Sequence, residues 1–211
     1  MNGLEQAKAY AQADFSEPHE NFLALFRQRF SGDDVEGNVL DLGCGAADIS
    51  IRFARQYARC QVLGVDGAQA MLHFAEQAVK AAMLVDRIRL MLGYLPTVKL
   101  PKRHYAAIIS NSLLHHLKAP AVLWDAIRQY GASGTRVFIM DLMRPPSLQA
   151  AKHTVTQYAA DEPAVLQHDF YASLLAAYTV TEVVAQLQFA GLGQLQVKAV
   201  SDRHLVVTGI L

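Results

Sequence analysis

The chain has 211 residues, of which 52% are hydrophobic, and its 19 basic and 19 acidic side chains cancel. This length and composition predict one domain with a sizeable core, and the absence of net charge argues against nucleic acid as a partner. Two cysteines are too few for a disulfide framework, residues 1–14 lack the apolar core of a signal peptide, and no run is long enough to span a membrane, so we expect a cytoplasmic protein.

The most informative stretch is Asn-Val-Leu-Asp-Leu-Gly-Cys-Gly-Ala-Ala-Asp-Ile-Ser at residues 38–50. It predicts a buried strand over 39–42, a tight turn at Gly43-Cys44-Gly45 and a helix over 49–57. A strand, a glycine turn and a helix bring backbone N–H groups and a helix N-terminus close to a ligand. Asp41, near the end of the strand, is placed to meet a cationic part of that ligand.

A second apolar strand over residues 62–66 ends in Asp66. In a βαβ unit, a carboxylate at this place accepts hydrogen bonds from ribose hydroxyls. Further strands are predicted over 88–92, 105–110 and 135–141, followed by a closing pair over 194–200 and 204–208. Helices are predicted over 18–30, 67–83 and 120–130, and Thr179 with Glu182 three residues on predicts another helix start.

At these residues the chain resembles the class I S-adenosylmethionine-dependent methyltransferases. Residues 39–45 are similar to the first motif of that family, residues 64–66 to its second motif, and residues 108–117 (Ile-Ile-Ser-Asn-Ser-Leu-Leu-His-His-Leu) to its fourth-strand motif. The resemblance extends over about residues 38–145. It implies an α/β fold with a doubly wound, mostly parallel seven-stranded sheet and an antiparallel last strand, formed as a single domain over residues 1–211.

The resemblance also implies S-adenosyl-L-methionine as the cofactor and S-adenosyl-L-homocysteine as the product. Tyr10 is assigned to an N-terminal helical lid over residues 1–36, with simple packing as the alternative. Met71 is an adenine contact or a core residue. The full set of candidate cofactor-binding residues is Tyr10, Asp41, Gly43, Cys44, Gly45, Asp66, Gly67, Met71, Tyr94 and Asn111.

The chain departs from many members of the family at two positions. Tyr94 stands where they have an acidic residue that contacts the adenine, so either the Tyr94 backbone and ring hold the adenine or this side of the pocket differs. Ala47 stands where they have a third glycine. A methyl group there is tolerable if the helix has already begun and φ is negative.

The candidate catalytic residues follow the fourth and fifth strands, at the sheet edge where ligands bind in doubly wound folds. His115 is the first candidate for a general base; the alternative is that one of His115 and His116 packs against the cofactor or caps a helix. Asp141 and Arg144 are predicted on the substrate side, or else as a pair that only fixes the loop. Residues 147–178 are predicted to form an inserted helical cover over the substrate.

The implied function (EC 2.1.1.-) is methyl transfer to a small, partly apolar molecule, achieved mainly by proximity and alignment, with a histidine as general base. Two alternatives are a nicotinamide-dependent oxidoreductase and a methyltransferase-like protein that acts as a partner or regulatory subunit. No metal site is expected, because the sequence has no compact group of His, Cys and Asp ligands. Nucleic-acid and membrane partners are not expected, and a homodimer is left open.

Overall fold

The computed structural model describes residues 16–31, 34–101 and 104–211. Tyr10 and much of the predicted N-terminal lid lie outside these ranges. The elements in chain order are α1 (Ser16–Arg29), β1 (Gly37–Leu42), α2 (Asp48–Gln56), β2 (Cys60–Asp66), α3 (Gln69–Ala81), β3 (Ile88–Leu92), β4 (Tyr105–Asn111), a 3-10 turn (Leu114–His116), α4 (Ala121–Tyr130), β5 (Arg136–Leu142), α5 (Leu148–Ala159), α6 (Ala164–Ala176), α7 (Val180–Phe189), β6 (Gln196–Ala199) and β7 (His204–Ile210).

The strands of the described residues form one seven-stranded sheet in the order β3-β2-β1-β4-β5-β7-β6. Strands β1 to β5 pair in parallel, whereas β7 runs antiparallel to both β5 and β6. The predicted sheet is therefore confirmed, including its antiparallel closing strand. The strand order reverses between β1 and β4, and such a switch point leaves a crevice at the carboxyl ends of the strands.

Helices cover both faces of the sheet. Three aromatic residues that recur at helical spacing are buried against one face, namely Phe22 and Phe26 of α1 and Phe30 just after it. Phe26 meets the rings of Phe53 and Phe138 edge-on, at centroid distances of 4.9 and 5.5 Å. Buried side chains of α4 and α7 cover the opposite face. This packing holds the ends of β1, β2 and β4 in a fixed relation.

The segment between β5 and α7 folds as a pair of helices, α5 and α6, whose two ends meet. Met143 and Tyr178 form an isolated parallel bridge, and the Arg144 N–H donates to the Tyr178 carbonyl at 3.2 Å. At the far end, Thr179 and Glu182 form the predicted capping box of α7. Of the helices in the described ranges, none has the length and apolar character needed to cross a membrane.

Candidate functional site

The glycine turn after β1 requires glycine at Gly43 for two reasons. Gly43 has a φ of 75°, which L side chains rarely adopt. A Cβ built on Gly43 would also lie 2.9–3.1 Å from side-chain atoms of Leu113. The turn is held to β2 by the N–H groups of Gly43 and Cys44, which donate to the Val65 carbonyl at 2.8 and 3.0 Å. The backbone of this turn is therefore fixed and bare.

Ala47 does not meet the condition under which a methyl group is expected to be tolerated at this position. Its φ is +68°, not negative. The reason is that α2 begins one residue later, at Asp48, and Ala47 is the residue before the helix. There its N–H closes a turn by donating to the Cys44 carbonyl at 2.8 Å. Ala47 is fully buried. Its left-handed backbone conformation costs conformational energy that a glycine at this position would not cost.

Asp66 ends β2 with both carboxylate oxygens anchored. One oxygen accepts from the Gly45 N–H at 2.9 Å and the other from the Ala68 N–H at 2.7 Å. A carboxylate has about four lone-pair positions, so each oxygen can still accept from a ligand. A rigid pair of acceptors next to a glycine turn is the arrangement that a ribose with adjacent hydroxyls requires.

We predict that Asp66→Ala weakens S-adenosylhomocysteine binding by about 1–3 kcal/mol, because a charge-assisted hydrogen bond is lost. Calorimetric titration of the purified variant measures this directly. Asp86→Ala is the matched control, since Asp86 is exposed and does not line the cavity. Unchanged affinity in Asp66→Ala would remove Asp66 from the cofactor site.

Asp41 is 1% exposed and accepts a hydrogen bond from the Ser50 hydroxyl at 2.5 Å. Burial raises the pKa of Asp41 to about 7; the Ser50 hydrogen bond opposes this increase and the charge of Asp66 adds to it. Burial, followed by the charges of Asp41 and Asp66, also raises the pKa of the Cys44 thiol, which is therefore neutral. A cationic ligand beside Asp41 would favour its ionised form.

These residues surround one cavity of about 920 Å³ at the carboxyl ends of β1, β2 and β4. Its volume is within the range of cofactor and ligand pockets. All the predicted cofactor-binding residues in the described ranges line it, namely Asp41, Gly43, Cys44, Gly45, Asp66, Gly67, Met71, Tyr94 and Asn111.

Tyr94 and Met71 have distinct places in the lining. The Tyr94 ring lies against Gly67, where an added Cβ would come within 2.8 Å of it, and 58% of Tyr94 is exposed. Tyr94 therefore covers the backbone after β2 at the rim of the cavity. Met71 is buried in a small apolar cluster and also lines the cavity, so it has features of both roles considered from the sequence.

The predicted catalytic residues are arranged differently from the cofactor set. Asp141 accepts hydrogen bonds from the Leu114 N–H and from Nδ1 of His115, both at 2.7 Å. The side chains of His115 and Asp141 are 3% and 1% exposed. Neither residue lines the cavity, nor does Arg144, whereas His116 does.

Arg144 is paired with Glu182 of α7. The Asp141–Arg144 pair considered from the sequence is not formed, because Asp141 is held by the 3-10 turn while Arg144 extends towards α7. The hydrogen bonds from Arg144 and from the Thr179 N–H lower the pKa of Glu182. Arg144 therefore links the start of the α5–α6 segment to the helix that follows it.

We predict that Arg144→Ala lowers the free energy of unfolding by about 0.5–1 kcal/mol, as expected for a partly exposed ion pair, without changing S-adenosylhomocysteine affinity. Urea unfolding and calorimetry measure the two effects. Arg128→Ala is the control, since its contacts among the described residues are long, at 3.8 Å to Asp125 and 3.4 Å to the Ala190 carbonyl. Lost affinity at unchanged stability would instead place Arg144 in the binding site.

A polar group at the edge of the cavity was missed by the sequence-based prediction. Nδ1 of His19 lies 2.5 Å from Oδ2 of Asp48, and Nε of Arg52 donates to the same oxygen at 2.7 Å. Partial burial opposes these hydrogen bonds, but their net effect is to lower the pKa of Asp48. The i,i+4 spacing of Asp48 and Arg52 is a visible signal, whereas His19 is brought in by the fold.

The described residues also bear on metal binding. In the portions of the chain that the structure describes, no three His, Cys, Asp or Glu side chains are grouped so that they could hold a metal ion. The fold is an α/β fold with a cavity at the carboxyl ends of its parallel strands, and the glycine turn and Asp66 both line that cavity.

Comparisons with known proteins narrow this class. Residues 39–134 match the family profile described as "Methyltransferase domain". Protein arginine N-methyltransferase 1 of Schizosaccharomyces pombe is 32% identical over 115 residues, which is 54% of this chain and 29% of that protein. (S)-coclaurine N-methyltransferase of Thalictrum flavum subsp. glaucum is 26% identical over 144 residues, 66% of this chain and 39% of that protein. The chain thus spans about a third of the length of these curated relatives.

Solved structures agree with these matches. A SAM-dependent methyltransferase from Aquifex aeolicus has a TM-score of 0.71 at 16% identity, covering 98% of this chain and 97% of that one. Phosphoethanolamine N-methyltransferase 2 of Haemonchus contortus, solved with S-adenosyl-L-methionine, has a TM-score of 0.65 at 18% identity, covering 86% and 38% of the two chains. The chain is therefore similar to a methyltransferase domain over residues 39–134 and shares its fold with S-adenosylmethionine-dependent methyltransferases.

Proposed function

We propose that this protein transfers a methyl group from S-adenosyl-L-methionine to a small, partly apolar molecule. The observation that carries the proposal is that one cavity is lined by the glycine turn, by the Asp66 carboxylate and by a set of both apolar and polar side chains. The match of residues 39–134 to a methyltransferase domain supports the reaction type. The mixed polarity of that lining supports the type of acceptor.

Different residues of the cavity would bind different parts of the cofactor. S-adenosyl-L-methionine, when bound, supplies a methyl group on a positively charged sulfur. Asp66 would accept from the ribose hydroxyls, and the buried carboxylate of Asp41 would meet the cationic methionine end. The turn from Gly43 to Gly45 admits the ligand close to the backbone. Tyr94, at the rim, would close the adenine side.

The acceptor side is formed by residues 111–118, which follow β4. Leu113 and Leu117 supply apolar surface there, and Asn111, His116 and Lys118 supply polar groups. A ligand that fits this wall has an apolar body and at least one polar group. Alignment of its nucleophilic atom with the methyl group can supply much of the rate. His115, the base predicted from the sequence, does not line the cavity.

The names of the relatives point to two classes of acceptor, protein arginine and coclaurine. A guanidinium group is best recognised by carboxylates. The lining over residues 111–118 contains no carboxylate and includes the cation Lys118. We therefore favour a small molecule over a protein arginine.

Calorimetric titration with S-adenosylmethionine, S-adenosylhomocysteine and NAD tests the cofactor first. We expect micromolar binding of both sulfur compounds and none of NAD. Formation of S-adenosylhomocysteine is then followed with a panel of small phenols, amines and carboxylic acids. Failure to bind either sulfur compound would refute the proposal. Binding without turnover on any acceptor would favour a partner or regulatory role.

A further inference from the structure

We propose that His116 contacts the methyl acceptor and takes its proton, and that the buried His115–Asp141 pair holds His116 in place. His116 would then be the catalytic residue, and His115 and Asp141 positioning residues. This inference rests on the proposed function, because it names the side chain that acts on the acceptor. It differs from the sequence-based prediction, which favoured His115.

Asp141 fixes the 3-10 turn to the end of β5. One oxygen of its carboxylate accepts from the Leu114 N–H and the other from His115. Because a carboxylate oxygen only accepts, Nδ1 of His115 carries the hydrogen. Both side chains are almost fully buried. The turn is therefore anchored through its backbone and through a side chain at once.

The side chains of His115 and His116 point in different directions. In a 3-10 helix, successive side chains are about 120° apart, since there are about three residues per turn. When His115 points inward to Asp141, His116 is turned away from it and lines the cavity. The two rings are in contact, with centroids 4.0 Å apart and planes inclined by 43°. The buried ring thus supports the exposed one.

The surroundings of His116 favour its neutral form. Partial desolvation, followed by the charge of His115, lowers its pKa to about 4, against the opposing effect of Asp141 from β5 and Asp169 from α6. A neutral imidazole has one nitrogen with a free lone pair. At neutral pH His116 can therefore accept a hydrogen bond from the O–H or N–H group of an acceptor.

The chemistry then balances without a further reactant. The lone pair of the acceptor atom forms the new bond to the methyl carbon, and the electrons of the sulfur–methyl bond stay on sulfur. The proton of the acceptor atom passes to the free ring nitrogen of His116 and later to water. A hydroxyl oxygen becomes strongly acidic as it gains the methyl group, so even a weak base suffices to take its proton.

One test needs no identified acceptor. The protein is treated with diethyl pyrocarbonate, which carbethoxylates accessible neutral histidines, and tandem mass spectrometry assigns the modified residue. We expect rapid modification of His116 and protection of His115. His73, which is exposed on α3, serves as the internal reference for an accessible ring. Modification of His115 as fast as His116 would overturn the assignment.

A second test uses an acceptor found in the panel. His116→Ala is expected to lower kcat by about 10²–10⁴-fold, the range for losing a general base, with S-adenosylhomocysteine affinity within about twofold of the wild type. His73→Asn is the control and keeps full turnover. A His116→Ala variant with wild-type kcat would overturn the catalytic role. Failure of the wild type to bind S-adenosylhomocysteine would instead refute the proposed function.

The positioning role has its own readout. His115→Asn keeps an N–H group that can donate to Asp141, whereas His115→Ala does not. We expect His115→Asn to retain most of kcat, and His115→Ala to lose most of it at temperatures where both variants are folded by circular dichroism. Equal kcat in the two folded variants would show that the contact with Asp141 does not position His116.

Discussion

Gly43→Val is expected to abolish S-adenosylhomocysteine binding. The new side chain would force a β-branched residue to a φ of 75° and drive its Cβ to within 2.9–3.1 Å of Leu113. A β-branched residue at positive φ is a severe outlier, and the added methyl groups would project where the ligand must approach the backbone. Calorimetry measures the loss of binding, and thermal unfolding shows whether the variant folds.

Gly37→Val is the matched control for backbone strain alone. Gly37 has a φ of 96°, yet an added Cβ there would meet no atom within 4 Å. We expect this variant to lose about 1–3 kcal/mol of stability but to keep its ligand affinity. A Gly43→Val protein that folds and binds like the wild type would refute the placement of the turn against the cofactor.

Asp41→Asn is expected to stabilise the ligand-free protein at pH 8 and to weaken cofactor binding. The ordinary pKa of 3.8 is raised to about 7 in the folded protein, so folding favours the protonated carboxyl. The contribution of this group to stability therefore falls as pH rises from about 4 to about 7, and stays low above that. A shift of about 3 pKa units corresponds to at most about 4 kcal/mol.

Asparagine keeps an oxygen for the Ser50 hydroxyl but carries no charge, so we expect Asp41→Asn to gain about 1–3 kcal/mol at pH 8 and little at pH 4. Urea unfolding at the two pH values measures this. Binding of S-adenosylmethionine should weaken about tenfold, roughly the 1.4 kcal/mol lost with a charge-assisted contact. Wild-type affinity should fall below pH 7 as Asp41 is protonated. A variant that is less stable than the wild type at pH 8, or equally dependent on pH, would contradict this account.

The sheet and the cofactor side of the site could be predicted because their signals are local. The strand predicted over residues 88–92 coincides with β3, since a largely apolar run that ends at Gly93 defines it. The glycine turn and Asp66 are set by the spacing within one βαβ unit. For these residues, proximity in the sequence already determines proximity in the fold.

The acceptor side could not be predicted in this way, because it depends on contacts between distant segments. His115 and Asp141 are 26 positions apart, and His19 and Asp48 are 29 apart. Which of two adjacent histidines faces the cavity depends on the phase of a single 3-10 turn. The conformation of Ala47 likewise depends on where α2 begins, and a shift of one residue changes the sign of φ.

The bridge between Met143 and Tyr178 has a consequence for how proteins with this fold can diverge. The segment that holds α5 and α6 begins after Met143 and ends before Tyr178, and these two residues are bridged. The two helices therefore form an insertion whose ends are held together. An insertion of this kind can change length or composition without altering the register of β5 and β7. Since α6 packs against the turn that carries His116, we expect exchange of residues 145–177 between relatives to change acceptor choice and to leave cofactor affinity intact.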